Sequence, residues 1–285
     1  MSPNSFLEEN YVNSKNDFRD FEYKGWESVA HKYGNAWSSL TKKFIPSLLD
    51  SVNIKPGIKL LDLACGPGYV SEAAITLGAL PVGIDFSKKM IKLAKERNPS
   101  IEFFEGDAED LNFEPGSFDA VTMNFGMLHM SDPEKVFSEA ARVLKKRGRF
   151  AFTIWAKPEI NPGSKVMDDA INKYADLNLA VPKGPSILNY CDPAECFKSF
   201  KFAGFNTDSM RFITVDVVWE VPTSSFFFEA ELNAGVRTSA VLKIQSEKAL
   251  EQIRSCVEKE IEKLKNKDGY FIPMAAHIVS AARNN

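Results

Sequence analysis

Lys59-Leu60-Leu61-Asp62-Leu63-Ala64-Cys65-Gly66-Pro67-Gly68-Tyr69-Val70 is the stretch from which the rest of this 285-residue chain can be placed. It reads as a buried strand (Lys59 to Ala64), a tight glycine turn and the start of a helix. That helix carries Val70, Ala73, Ala74 and Leu77 at helical spacing and stops at Gly78. Gly66 and Gly68 allow a sharp turn, and without side chains they let a ligand lie against the backbone. Unpaired N–H groups at the helix start then face that ligand. A second strand, Leu80 to Ile84, ends in Asp85, where an acidic residue meets the two hydroxyls of a nucleoside ribose. Strand, glycine turn, helix, strand and acid together point to a nucleoside-cofactor site.

A dinucleotide fingerprint needs a third glycine in G-x-G-x-x-G, and that position holds Ser71. The wording L-D-L-A-C-G-P-G-Y instead resembles the first motif of class I S-adenosylmethionine-dependent methyltransferases, in the small-molecule branch of ubiquinone and menaquinone biosynthesis. The resemblance covers Gly57 to Trp155 and, more loosely, the closing strand. It implies an α/β, Rossmann-like, doubly wound fold: a seven-stranded, mostly parallel sheet with an antiparallel last strand, plus a helical lid and insertions. It implies S-adenosyl-L-methionine as cofactor, S-adenosyl-L-homocysteine as product, and no metal.

By the same resemblance the turn around Ala64, Gly66 and Gly68 wraps the amino-acid end of the cofactor. Asp62 holds the loop and the ammonium group. In the D-x-S-x-x-M pattern from Asp85, Phe86 and Met90 flank the adenine, although Met90 also fits as plain core. In G-D-A, Asp107 accepts from the adenine amino group and the Ala108 N–H meets a ring nitrogen. Asn124 and Phe125 line the cofactor, mainly through backbone, where the methyl group is transferred. His129 is the only histidine near that end. It is a candidate base for a weak nucleophile, with loop packing as the competing role.

Before the first strand, Trp26, Val29, Ala30, Tyr33 and Trp37 recur at intervals of three and four, the signature of one helix face. Residues 1–55 are read either as a helix packed over the sheet edge or as a lid over the cofactor, with Tyr33 against its methionine end. Further strands are expected at Ile101–Glu105, Phe118–Asn124, Arg149–Trp155, Met210–Trp219 and Tyr270–Ala281. A helix is expected from Asp132-Pro133, capped by Asp132, ending at Gly148 with Lys145-Lys146-Arg147 on its negative end. Within the domain at 56–285, insertions at about 157–190 (with a helix Val166–Leu177) and 222–266 (with a long helix from Ser246) are expected to wall a substrate site.

Composition narrows the function further. A net charge of −3 lacks the basic footprint of a nucleic-acid binder. No apolar run reaches the ~18 residues of a membrane span. Met1 to Asn16 does not read as a signal peptide, so a cytoplasmic protein is expected, as monomer or homodimer. Cys65, Cys191, Cys196 and Cys256 read as reduced thiols, and no cysteine–histidine cluster suggests zinc. A sulfonium methyl is already activated, so transfer requires an in-line nucleophile held out of water. The 22 phenylalanines, many of them in the insertions, suit a small apolar or aromatic acceptor. Two other readings stay open: a nucleotide-dependent oxidoreductase, opposed by the missing third glycine and the lack of a Tyr-x-x-x-Lys pair, and a non-catalytic cofactor-binding regulator.

Overall fold

The computed structural model describes residues 3–179 and 181–285, with side chains from Lys15 onward. Met1 and Ser2, the start of the stretch read as lacking a signal peptide, lie outside the described residues. In chain order the elements are α1 (Pro3–Thr41), α2 (Ile45–Ser51), β1 (Lys59–Leu63), α3 (Tyr69–Thr76), β2 (Leu80–Asp85), α4 (Lys88–Arg97), β3 (Glu102–Glu105) and β4 (Phe118–Asn124). There follow α5 (Pro133–Val143), β5 (Leu144–Trp155), α6 (Pro162–Tyr174), α7 (Pro193–Phe202) and β6 (Phe205–Val221). The chain closes with α8 (Phe226–Ala234), α9 (Arg237–Lys243), α10 (Glu247–Glu262), β7 (Lys265–Asn266) and β8 (Gly269–Arg283).

The sheet has the order β3-β2-β1-β4-β5-β8-β6. β1 to β5 pair in parallel, and β8 runs antiparallel between β5 and β6. The expected doubly wound sheet with an antiparallel last strand is therefore present. It carries one addition, the two-residue β7, which pairs with the start of β8. The strand order reverses between β1 and β4, and in such sheets ligands gather where the carboxyl ends of the strands diverge.

Two of the core regions are rich in aromatic rings. One lies under α5 and α7, where Phe137 is fully buried and stands edge-on to Phe150, Phe152 and Phe200 at 5.0 to 5.7 Å between ring centroids. The other joins α1, α6, α8 and α10 to β6 and β8. There Trp37 stacks on Trp219 at 5.4 Å, and the Trp219 indole donates to Ser39 at 2.9 Å. Asn161 pins the start of α6 to the sheet: its side-chain amide donates to the Ala275 carbonyl at 3.0 Å and accepts from the Ala275 N–H at 3.2 Å.

Several local expectations are corrected. α5 ends at Val143 rather than at Gly148, and Leu144 to Gly148 already belong to β5. Leu144 is fully buried opposite Phe118, so strand pairing overrides helix continuation there. Lys145 pairs with Asp119 at 2.8 Å and Arg147 donates to Asn285 at 2.6 Å, so the basic run caps no helix. Asp132 likewise makes no cap bond; its carboxylate takes Lys15 of α1 at 2.8 Å. α6 starts at Pro162 and ends at Tyr174, four and three residues before the expected bounds. β6 (Phe205–Val221) begins five residues before the expected Met210 and ends two residues after Trp219.

Phe137→Ala should lower unfolding free energy by about 3–5 kcal/mol, because the ring is enclosed by rigid neighbours that cannot collapse into the space it leaves. Urea denaturation of the purified variant checks this, and a loss under about 1 kcal/mol contradicts it.

Candidate functional site

The turn after β1 departs from strand geometry at once. Ala64 has φ +48°, an unusual conformation for a residue with a side chain, and Gly66 and Gly68 follow at +52° and +82°. A Cβ on Gly68 would lie 2.8 Å from the Phe103 ring, so this position needs glycine for both its angle and its space. Cys65 N–H donates to the Ile84 carbonyl at 3.0 Å, and Gly66 N–H donates to the Asp85 carboxylate at 2.8 Å. The turn is thus sewn to the end of β2.

Two buried carboxylates organise the turns. Asp85 accepts from Gly66 N–H through one oxygen and from Ser87 N–H, at 2.9 Å, through the other. Burial nevertheless pushes its carboxyl up to about 6, against the pull of those two bonds. Asp62 accepts the Ser71 hydroxyl at 2.8 Å and the Ser71 N–H at 3.2 Å, both at Oδ2. Burial pushes Asp62 up to about 7, and the nearby Asp85 charge adds to the effect. Its Oδ1 is buried with no hydrogen-bond partner, as is Oδ1 of Asn124 at the end of β4. Both residues line one cavity with Asp85, so the site presents acceptors in search of donors. An amino group and a pair of hydroxyls would satisfy them, and the residues therefore fit an aminoacyl nucleoside.

This cavity collects Tyr33, Asp62, Ala64, Gly66, Asp85, Phe86, Met90, Asp107, Ala108, Asn124, Phe125 and His129, all of them expected site residues. Gly68 is the exception: it starts α3 from behind the turn, where its neighbours are Phe103 and Asn98. Phe125 adopts φ +56° and stacks on Trp155 at 4.0 Å, which fixes its ring in the cavity wall. Asp107 accepts from the Glu109 N–H at 2.9 Å and pairs with Arg19 of α1.

α1 lies across the carboxyl ends of β2, β3 and β4. Besides Arg19 and Lys15, its Glu27 accepts from the Ser87 hydroxyl at 2.6 Å and the Lys89 N–H at 3.0 Å. Its Glu22, fully buried, meets His129 Nδ1 at 2.9 Å, and Trp26 stands edge-on to the His129 ring at 4.8 Å.

A second, larger chamber adjoins the first, about 180 Å³ against about 90 Å³. Its outer wall comes from the two insertions, with Met167, Asp168 and Leu188 from one and Phe227, Glu231 and Arg237 from the other. Trp26, Tyr33, Thr41, Phe125 and His129 face both chambers and form the boundary between them. Burial pushes Glu231 up to about 7 and raises Asp168. Sequence reasoning missed Glu22, Trp26 and Thr41 as site residues. Glu22 had a legible signal, because it sits one turn before Trp26 on the stripe that continues to Tyr33 and Trp37. Thr41 had none.

A family model described as a methyltransferase domain matches residues 61–152. A demethylmenaquinone methyltransferase of Renibacterium salmoninarum is 38% identical over 141 residues, covering 48% of this chain and 60% of the relative. One of Streptomyces avermitilis is 36% identical over 177 residues, covering 59% of this chain and 77% of the relative. The chain spans 60% or less of the length of several such relatives. Among solved structures, the Haemonchus contortus phosphoethanolamine N-methyltransferase 2, in complex with phosphomonomethylethanolamine and S-adenosylhomocysteine, superposes with TM-score 0.56 at 19% identity. That match covers 94% of this chain and 60% of the other, a likeness of fold alone. The extent of the Streptomyces match, the turn chemistry after β1 and the strand order together place this chain in the class I S-adenosylmethionine-dependent methyltransferases.

Proposed function

We propose that the chain transfers a methyl group from S-adenosyl-L-methionine to a small aromatic acceptor held in the second chamber. The observation that carries this reading is the shared boundary: a chamber with buried, unpartnered oxygen acceptors shares Tyr33, Phe125 and His129 with a chamber that has aromatic walls. Two compartments meeting at a few residues is what in-line displacement requires, since donor and nucleophile approach from opposite sides of one carbon.

S-adenosylmethionine supplies, when bound, a methyl group already activated by the sulfonium. The rest falls to the protein's own residues. Asp85 would accept from the ribose hydroxyls, Asp62 and the turn would hold the amino-acid end, and Phe86 and Met90 would flank the adenine near Asp107 and Ala108. Tyr33 and Phe125 shape the boundary, and the aromatic wall of Trp37, Trp155 and Phe227 keeps water from the nucleophile. His129, with Glu22 on one ring nitrogen, stands where an acceptor proton is released. The relatives matched above are named for demethylmenaquinone. The methyltransferase-domain match ends at residue 152, before both insertions, so the acceptor class is read from the chamber itself.

Binding provides the first test. S-adenosylmethionine should raise the melting temperature and NAD should not; the reverse result ends this reading. Asp85→Asn should weaken cofactor binding about tenfold to a hundredfold in calorimetry, because it replaces a charged acceptor of two hydroxyls. A labelled methyl group should pass to a hydroquinone and be lost as signal when His129 is replaced by Ala.

A pH series provides the second. Without ligand Asp85 keeps its proton to about pH 6, whereas ribose hydroxyls favour the carboxylate. Affinity for S-adenosylmethionine should therefore fall by up to about tenfold per pH unit below about 6, and Asp85→Asn should flatten that dependence. Stability of the unliganded fold runs the other way. The unfolded chain loses these protons near pH 4, so the contribution of Asp62 and Asp85 is full below that and declines as pH rises towards 6 and 7. Melting curves from pH 4 to 8 on Asp62→Asn and wild type measure the difference.

A further inference from the structure

The carboxylate of Glu22 lines neither chamber, yet it is costly to hide. It is fully buried on α1, its Oε2 is 2.9 Å from His129 Nδ1, and its Oε1 has no hydrogen-bond partner. An acid placed so far from water is maintained by what it does to its neighbour. Two acceptors facing each other at 2.9 Å would repel, so one proton lies between Oε2 and Nδ1. The positive guanidinium of Arg237, which interacts with Glu22 through space, favours the carboxylate, and the proton therefore belongs on the ring. Arg237 is fixed for this task by bonds to the Leu128 carbonyl at 3.0 Å and the Pro185 carbonyl at 3.2 Å.

We propose that Glu22 is a positioning residue that locks His129 as the Nδ1–H tautomer, so that the bare Nε2 serves as proton acceptor at the boundary of the two chambers. This rests on the methyltransferase reading above for its chemistry. Trp26, edge-on to the imidazole at 4.8 Å, holds the ring plane, and Nε2 has no hydrogen-bond partner among the described residues. An acceptor hydroxyl gives its proton to Nε2 while its oxygen bonds to the methyl carbon and the carbon–sulfur bond breaks. The products are a methyl ether, a neutral thioether and an imidazolium, with the single positive charge passed from sulfur to the ring. Glu22 then neutralises that imidazolium across the Nδ1–H bond, as a buried carboxylate behind a catalytic histidine does elsewhere. Such a device serves a hydroxyl acceptor above all. A neutral amine attacks before it loses its proton, and a thiol ionises unaided near neutral pH. The acceptor class favoured by this geometry is a phenol or hydroquinone.

The test is nitrogen NMR of ring-labelled histidine in the full chain at about pH 8, with His129 assigned by its loss in His129→Gln. In wild type Nδ1 should resonate as a protonated and Nε2 as an unprotonated ring nitrogen. In Glu22→Gln that pattern should be lost while affinity for S-adenosylmethionine stays within about twofold, and kcat for a hydroquinone should fall about a hundredfold with little change in KM. A wild-type spectrum with Nε2 protonated overturns the proposal whether or not the variant folds, as does an unchanged tautomer in Glu22→Gln. Failure of wild type to bind S-adenosylmethionine would instead remove the methyltransferase reading, and the tautomer result would still decide the role of Glu22.

Discussion

The bond from the Gly66 amide to the Asp85 carboxylate is the constraint on which the site rests. It joins the turn after β1 to the end of β2, and the other oxygen of the same carboxylate holds the Ser87 amide that begins the next helix. One buried acid thereby sets two loops at the fork of the sheet. Asp62 repeats the device on the far side of the turn, gripping Ser71 on α3. Burial makes both carboxylates harder to ionise; the charge of Asp85 adds to this at Asp62, and that of Glu27 at Asp85. Strongly perturbed acids of this kind cluster at the functional sites of proteins.

Around this fork the chain adds elements in layers of decreasing generality. The parallel half of the sheet and its helices are ordinary doubly wound structure. The two insertions and α1 make an enclosure out of it. Their aromatic residues pack on one another and on the sheet, as Trp37 does on Phe227 and on Trp219 of β6. Their polar residues reach the strand ends one by one: Lys15 to Asp132, Arg19 to Asp107, Glu22 to His129 and Glu27 to Ser87.

How much of this could be read in the sequence follows from the range of the interactions involved. β1, β2 and β4 are short buried runs bounded by turn residues, and they lie at their expected positions. The expected site residues, Gly68 apart, converge on one cavity, because all but Tyr33 belong to local motifs and sit within a few residues of a strand end. The errors around α5 are long-range. α5 stops early because Leu144 is claimed by Phe118, and Asp132 leaves its helix because Lys15 reaches it from 117 residues away. Glu22 meets His129 across a separation of 107 residues, and no spacing rule reaches that far. The second chamber was legible only as a pair of insertions. Its inner wall depends on how α6, α8 and α9 dock, which propensity does not encode.

One helix roofs both compartments, and its polar ties are spread over three different strand ends. Because Trp26 and Tyr33 belong to both rooms, any displacement of that roof alters two walls at once, and neither room can be reshaped without the other.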